Sequence, residues 1–599
     1  QWYETIARLR RDVDRDAAQS ELDAVAARAV AEHPQLFFGG EQVTTRLDRP
    51  SDRMNASTRD ALLVLLAAVG LVLLVACSNV ANLLLARSAS RARELAVRSA
   101  LGASTWRLVR ALAAECLVLA LAAGVAGFLV GWVTLRILVL LRPNTLSALA
   151  EVELDATVLA FTFGVSLLTA LLFGVGPALQ LKSRKLGDAL RHGASGVVRA
   201  GSAPWLRKLL VAAQMGMSVV LLVSAGLLVR SFIHLQNVDV GFDTENLFTA
   251  QLTLPSGRYR EAASREAVSE QLAERVRASP GVVAVTESLL GPAASMTMVG
   301  PDFEVRGRTL AEADARAPRS FNSVRPDYFA AVGIRLVEGR TFTADEARAG
   351  GVLLVNEAAA QHYWPDGGAL GGEVKWRARW TTVIGITSNV ISGGPTRSRD
   401  EPKFYLPFKH EQSPAAAAAG SNMALTVRAA GDAAVAIASV RAATRELDPE
   451  IAITNVLMTE AAFADSIQGP RFNMALLTAF AVIALVLAAV GLAAVIGYEV
   501  TERTHEFGIR MALGAQTENV RRLAMRHGLT PAFVGVVLGV IGAFFATQLA
   551  AGMLYGIAPR DPLTFVGVVA LLVLVAFGAS WLPARRATRV DPITALGAD

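Results

Sequence analysis

Seven apolar runs of about twenty residues or more punctuate this chain, at 62–86, 112–141, 158–181, 209–229, 472–498, 529–554 and 563–582. About 20 apolar residues are what a helix needs to cross the hydrocarbon core of a bilayer. Only a helix or a closed barrel satisfies its backbone polar groups there. The runs therefore predict seven spans. The run at 112–141 exceeds a plain crossing and is expected to project beyond the membrane. Between the fourth and fifth runs lies a long stretch, 231–470, with no such run. Composition agrees: 53% of residues are apolar, yet 18% are charged, and the mean hydropathy is +0.41. A bundle of spans alone would carry fewer charges, and a soluble chain would have a negative mean.

Lys and Arg set the orientation. Arg87, Arg91, Arg93, Arg98, Arg107 and Arg110 follow the first run, and Lys182, Arg184, Lys185 and Arg191 follow the third. Arg503, Arg510, Arg521, Arg522 and Arg526 follow the fifth, and Arg585, Arg586 and Arg589 follow the last. The short connections of opposite parity are poor in base: 142–156 holds Arg142 against Glu151, Glu153 and Asp155. The basic set is therefore expected in the cytoplasm, with 1–57 and 231–470 outside. This bias accounts for the formal charge of +6. Nucleic acid is not implied, since that would call for a basic patch on a soluble domain.

One basic segment occurs twice. Residues 93–103 read RELAVRSALGA and residues 505–515 read HEFGIRMALGA. Glu94, Arg98 and Gly102 recur as Glu506, Arg510 and Gly514, 412 positions later. In each copy the Glu and Arg form an i,i+4 pair, worth about 0.3–0.5 kcal/mol on a helix. The Gly suits a helix stop at positive φ, and Ser104 or Thr517 can cap the helix that follows. Each copy reads as a helix–turn–helix elbow. Taken singly it would be no more than a well-capped cytoplasmic connection; recurrence argues for a role.

The likeness extends further. Residues 8–34 match 428–449 as a short strand, an acidic turn, an amphipathic helix and a His-Pro or Asp-Pro stop, and 177–190 match 583–596 at an offset of 406. Four spans separate the two elbows. Four is even, so both elbows face the same side, as parallel repeats do. The expected fold is a membrane α-helical bundle of two parallel four-span repeats, the first span absent from this chain, plus α+β periplasmic domains. The absent span, the lack of a starting Met and the fragmentary look of 1–57 suggest an N-terminally truncated piece of a longer protein.

In the outer stretch, strands are expected near 246–254, 282–287, 351–355, 381–386 and 423–427, and helices near 265–278 and 435–446. The segment 413–420 (SPAAAAAG) reads as a surface loop. Cys77 and Cys116 both fall in spans, where a thiol acts as a small apolar residue, so the outer stretch must fold without disulfides.

These residues resemble the FtsX-like, MacB-type permeases of the ABC systems, and in particular their duplicated, fused "orphan" form. The likeness is carried by NVANLLLARSASRARELAVRSALGAS from Asn79, ERTHEFGIRMALGA from Glu502, LPARRATRVDPITAL from Leu582, PDYFAAVGIRLVEGRTF from Pro326 and VNEAAAQHYWP from Val355. It covers essentially the whole chain in order. It implies a remnant of a first periplasmic MacB-like core domain at 1–57 and a first FtsX-like domain at 58–200. The first span of a second unit follows at 201–234, a second core domain at 235–470 and a second FtsX-like domain at 471–599. It also implies that the loops 87–110 and 499–526 couple to a cytoplasmic ATPase. Glu94, Arg98, Gly102, Glu506, Arg510 and Gly514 are then the coupling candidates. Movement would pass through the spans to the outer domain of an inner-membrane efflux or mechanotransmission system.

The sequence contains no Gly-Lys-Ser/Thr phosphate loop, so any ATPase would be a separate subunit; a periplasmic adaptor or envelope protein is a further implied partner, beside the lipid bilayer itself. No catalytic, cofactor or metal constellation is expected. The seven His residues are scattered, and His362, Tyr363 and Trp364 are expected to pack in the outer domain. Asn79, Asn82, Gln214 and Ser218 are expected to hydrogen-bond between helices rather than bind substrate. The second reading is a membrane-anchored envelope scaffold or signalling protein of FtsX type, acting without its own ATPase.

Overall fold

The computed structural model describes residues 9–10, 13–32, 47, 56–90, 105–140, 156–168, 204–255, 257–298, 303–311, 314, 317, 319–376, 379–394, 396, 399–409, 422–502, 510, 513 and 516–587. The chain divides into two compact units: Gln1–Arg53 with Asn237–Ile467, and Met54–Gln236 with Gln468–Asp599.

The second unit is helical. Its helices are α1 (Ala56–Ser90), α2 (Thr105–Leu140), α3 (Ala156–Leu168), α4 (Pro204–Gln236), α5 (Gln468–Glu502), α6 (Thr517–Leu549) and α7 (Pro562–Ala587). All but α3 are long and apolar enough to cross a membrane. The seventh expected span begins in α3, and its remainder, 169–181, lies outside the described residues. Helix α2 has 36 residues, about 54 Å at 1.5 Å per residue, longer than a plain crossing needs.

Helix α4 is the axis of this unit, packing against α6, α5, α1 and α7. Val219, Val223, Leu227, Ala484, Ala488 and Leu572 are among the side chains buried there. With lipid as apolar as Leu, such contacts hold through close packing rather than exclusion from solvent. The α4–α6 crossing shows this. A Cβ on Gly539 would lie 2.7 Å from the Gly216 carbonyl oxygen and from Val219 Cβ, and one on Gly535 would lie 2.8 Å from Met215 Cβ. Gly535 and Gly539, four apart, let the two backbones meet.

The outer unit holds strands β1 (Leu247–Thr253), β2 (Val282–Ser288), β3 (Met296–Met298), β4 (Glu304–Val305), β5 (Arg319–Val324), β6 (Leu336–Gly339), β7 (Val352–Asn356), β8 (Glu373–Trp376), β9 (Arg379–Thr387), β10 (Lys403–Pro407), β11 (Asn422–Ala429) and β12 (Ala452–Met458). They form one mixed sheet in the order β12-β1-β11-β2-β5-β10-β7-β9-β8-β4, with β3 on β5 and β6 on β9. Two pairs are parallel, β5 with β10 and β7 with β9; the other pairs are antiparallel.

The helices Ala262–Arg277 and Ala433–Leu447 share a core with β1, β2 and β11, built from Phe248, Leu272, Val276, Leu425, Val427 and Val440. Asp432 starts the second of these helices by accepting from the Ala434 N–H at 2.9 Å. The five strands and two helices expected from sequence are present, shifted by a few residues at their ends. Seven further strands were not expected. The helix foreseen near the chain start is present as Arg15–Glu32. It does not bury an apolar face there: Ala26 is its one buried residue, and Leu22 and Val25 are exposed. The segment 413–420 lies outside the described residues. Tyr363 and Trp364 are buried beside Phe303, Phe404 and Trp376, whereas His362 is exposed with Nε2 3.6 Å from Asp314.

Candidate functional site

Helices α1 and α5 pack directly on one another. Each has 35 residues. Their first residues, Ala56 and Gln468, stand 412 positions apart, and so do their last, Ser90 and Glu502. This is the spacing of the duplicated basic segment. Each helix is about 52 Å long and runs unbroken from the outer side toward one of the two basic loops.

Where α1, α4 and α5 meet, their apolar packing is interrupted by a buried polar junction of Ser78, Asn79, Asn82, Gln214 and Ser218. The Asn79 amide donates to the Leu487 carbonyl at 2.8 Å, and the Gln214 amide donates to the same oxygen at 2.7 Å. Ser78 donates to Leu210 O at 3.2 Å, tying α1 to α4. Ser218 donates to Gln214 O at 2.9 Å, and its hydroxyl is 3.4 Å from Ala484 O. The expectation that these polar residues join helices holds for Asn79, Gln214 and Ser218. Asn82 departs from it: it is buried, and neither its amide nitrogen nor its oxygen has a hydrogen-bond partner.

Asn79 corresponds, 412 positions on, to Gly491, and the two positions touch. A Cβ on Gly491 would collide with Asn79 Oδ1 and lie 2.8 Å from the Gln214 amide. The two positions thus face one another where α1 packs on α5. The Asn side chain occupies the space that the missing Cβ leaves. In the sequence the pair is a mismatch between the two copies; that the mismatch creates a fit requires the fold.

At the inner end of the junction, the Arg207 guanidinium stacks 4.3 Å from the Tyr498 ring centroid, joining α4 to α5 one residue before the second basic loop. At the outer end, Asp561 precedes α7 with Pro562 at its first helical position, a preorganised helix start. Its carboxylate accepts from the Thr564 hydroxyl at 2.6 Å and the Thr564 N–H at 2.9 Å, and pairs with Arg230 of α4. The Thr564 hydroxyl, with help from its N–H and from Arg230, holds the Asp561 carboxyl below the usual range. The Tyr555 N–H donates to Ser231 Oγ at 2.7 Å, clamping the α6–α7 connection to α4. The sequence reading did not anticipate this clamp; the Asp-Pro pair at a helix start was the available signal.

Of the six coupling candidates, Arg510 is described: it is helical and exposed. Glu94, Arg98, Gly102, Glu506 and Gly514 lie outside the described residues. Among the described residues, no three His, Cys, Asp or Glu side chains gather as a metal site would require.

The FtsX-like permease C-terminal family matches residues 66–186 and 478–592, and the MacB-like periplasmic core domain matches residues 156–447. This chain belongs to the FtsX-like, MacB-type permeases. It is a multi-pass membrane protein whose mixed α/β unit is of the periplasmic kind. It is 28% identical over 348 residues to the probable export ATP-binding/permease protein MacB of Pseudomonas entomophila, a match over 54% of this chain and 48% of that protein. It is 27% identical over 303 residues to the macrolide export ATP-binding/permease protein MacB 1/2 of Paracoccus denitrificans, over 48% of this chain and 43% of that one. The chain thus spans about half the length of the curated relatives it matches. The crystal structure of the periplasmic region of MacB from Actinobacillus actinomycetemcomitans aligns with a TM-score of 0.25 at 18% identity, over 36% of this chain and 90% of that one.

Proposed function

We propose that this permease is a fused dimer that couples a separate cytoplasmic ATPase to motion of periplasmic domains, in an efflux or mechanotransmission system of the bacterial inner membrane. The observation that carries this reading is the contact of Asn79 with its counterpart Gly491 between two helices of equal length and matching bounds. Such a contact fits an axis along the membrane normal, with one basic elbow at the foot of each helix. Force applied at an elbow would travel along an unbroken rod. The hydrogen bonds to Leu487 O would link that rod to its counterpart and to α4, each worth about 0.6–2 kcal/mol within a membrane. Residue 236 of α4 and residue 468 of α5 are the points where these two helices join the outer unit's chain. The coupling segments are 87–110 and 499–526, with Glu94, Arg98, Gly102, Glu506, Arg510 and Gly514 shaping the elbows. The Pseudomonas entomophila and Paracoccus denitrificans relatives both carry ATP-binding and permease in their names, which supports an ABC-type energy source.

The test is to purify the full-length protein from its native membrane and ask whether an ABC ATPase copurifies and is stimulated. Replacing Glu94 and Glu506 together by Lys should abolish stimulation while insertion in the membrane stays normal. Stimulation that survives the double replacement rejects the coupling role. A partner held through residues 231–470 with no ATPase present would instead favour the envelope-scaffold reading.

A further inference from the structure

A cleft of about 680 Å³ opens between the cytoplasmic ends of α4 and α6. Its walls are apolar, with Leu209 and Ala212 on one side and Pro531, Val534 and Leu538 on the other. Its mouth carries Lys208, Arg526 and Trp205, all exposed. The shape has a local cause. Pro531 lies inside α6; with no N–H it cannot complete the helix hydrogen bond, and a proline ring crowds the preceding turn. The Thr530 hydroxyl turns back to Arg526 O at 2.7 Å and so adds no free polar group to the wall. Ala212 on the facing helix is too small to fill the gap.

We propose that this cleft binds one anionic phospholipid of the cytoplasmic leaflet, its headgroup phosphate between Lys208 and Arg526 and one acyl chain along the apolar wall. Three observations favour this occupant. No carboxylate lines the cleft, and among the described residues neither Lys208 nor Arg526 has a carboxylate partner. Trp205 stands at the mouth, where an indole sits at headgroup level. From Arg526 to Leu538 the wall runs about 18 Å, close to the ~15 Å depth of one hydrocarbon leaflet. A second copy of the same face would bring four cations together, which argues against a symmetric protein contact. Basic pockets between membrane helices on the cytoplasmic side are suited to anionic headgroups.

The full-length protein would be titrated with dioleoyl-phosphatidylglycerol, and in parallel with dioleoyl-phosphatidylcholine, and bound lipid counted by native mass spectrometry. The wild type should retain one phosphatidylglycerol in preference to phosphatidylcholine. Lys208→Gln and Arg526→Gln should each weaken phosphatidylglycerol retention roughly fivefold, and roughly thirtyfold together, with no effect on phosphatidylcholine. Val534→Trp fills the groove while keeping both cations. It should displace the lipid without changing the melting temperature, since Val534 is 47% exposed. Equal retention of the two lipids by the wild type overturns the proposal, as does unchanged phosphatidylglycerol retention in the double variant. So does oxidative cross-linking of two copies through Val534→Cys in a Cys77→Ala, Cys116→Ala background.

Discussion

Lys403 illustrates what single residues contribute and what they conceal. It sits on β10 in the middle of the sheet, 2% exposed, donating to Ser392 Oγ with its ammonium 5.3 Å from the Tyr405 ring centroid. Burial pushes its pKa down to about 8, against a weaker upward pull from Glu401. A lysine whose folded pKa is depressed binds fewer protons in the folded chain than in the unfolded one between about pH 8 and its ordinary value near 10.4. Stability of the outer unit should therefore rise as pH climbs through that window, and the cost of burying the charge is fully present below pH 8. The shift corresponds to a cost on the order of 3 kcal/mol. Lys403→Met keeps an unbranched side chain without the charge. It should increase hydrogen-exchange protection of β10 at pH 7 and flatten its dependence on pH between 8 and 10; lower protection at pH 7 would refute this account. Nothing in the sequence KFYLP announces such a residue. By contrast, Asn79 and Gly491 were legible as a mismatched pair, because their numbers follow the repeat; their contact was not, because periodicity does not say which helices adjoin.

Among the elements, membrane helices were the most legible and interior strands the least, for opposite physical reasons. Lipid admits only long apolar helices, so their positions are written in composition alone. The strands β5 and β10 are buried along their whole length yet read RSFNSV and KFYLP. One of their buried polar side chains is held by the fold: Asn322 exchanges two hydrogen bonds with the Leu290 backbone, at 2.9 and 3.2 Å. No alternation survives for sequence reading to find. The α4–α6 crossing lies between these cases. Its glycines were visible, but their partners, Ala212 and Gly216, required the packing. Gly535→Leu should drive the side chain into the Ala212 carbonyl and Met215, and separate the helices. Overpacking of this kind costs about 1–3 kcal/mol or more. The expected result is a lower melting temperature and protease sensitivity near 535 in the detergent-solubilised protein, whereas Gly567→Leu, whose Cβ would meet nothing within 4 Å, should be tolerated. Equal effects at both positions would show that the crossing does not hold the bundle.

For the whole molecule, the consequence of a fused dimer is a stoichiometry. A permease chain with one coupling elbow would need two copies to engage an ATPase pair; a chain with elbows at 87–110 and 499–526 should engage the pair alone. Light scattering of the isolated complex should give one permease chain to two ATPase copies. The lesions then separate the elbows. Glu94→Lys alone and Glu506→Lys alone should each leave one ATPase copy bound, and the double replacement none. The two single variants need not be equal in stimulation. Asn79, Asn82 and Arg87 in the first copy correspond to Gly491, Ala494 and Glu499 in the second, and the hydrogen bonds to Leu487 O are asymmetric, the Asn79 bond joining α1 to α5 and the Gln214 bond joining α4 to α5. If the rods transmit as one body, each single lesion should cost more than half of the stimulation, because the remaining elbow must move both. If they slide independently, each should cost about half. One ATPase copy per chain in the unaltered complex would remove the fused-dimer reading altogether, and leave the Asn79–Gly491 contact as helix packing.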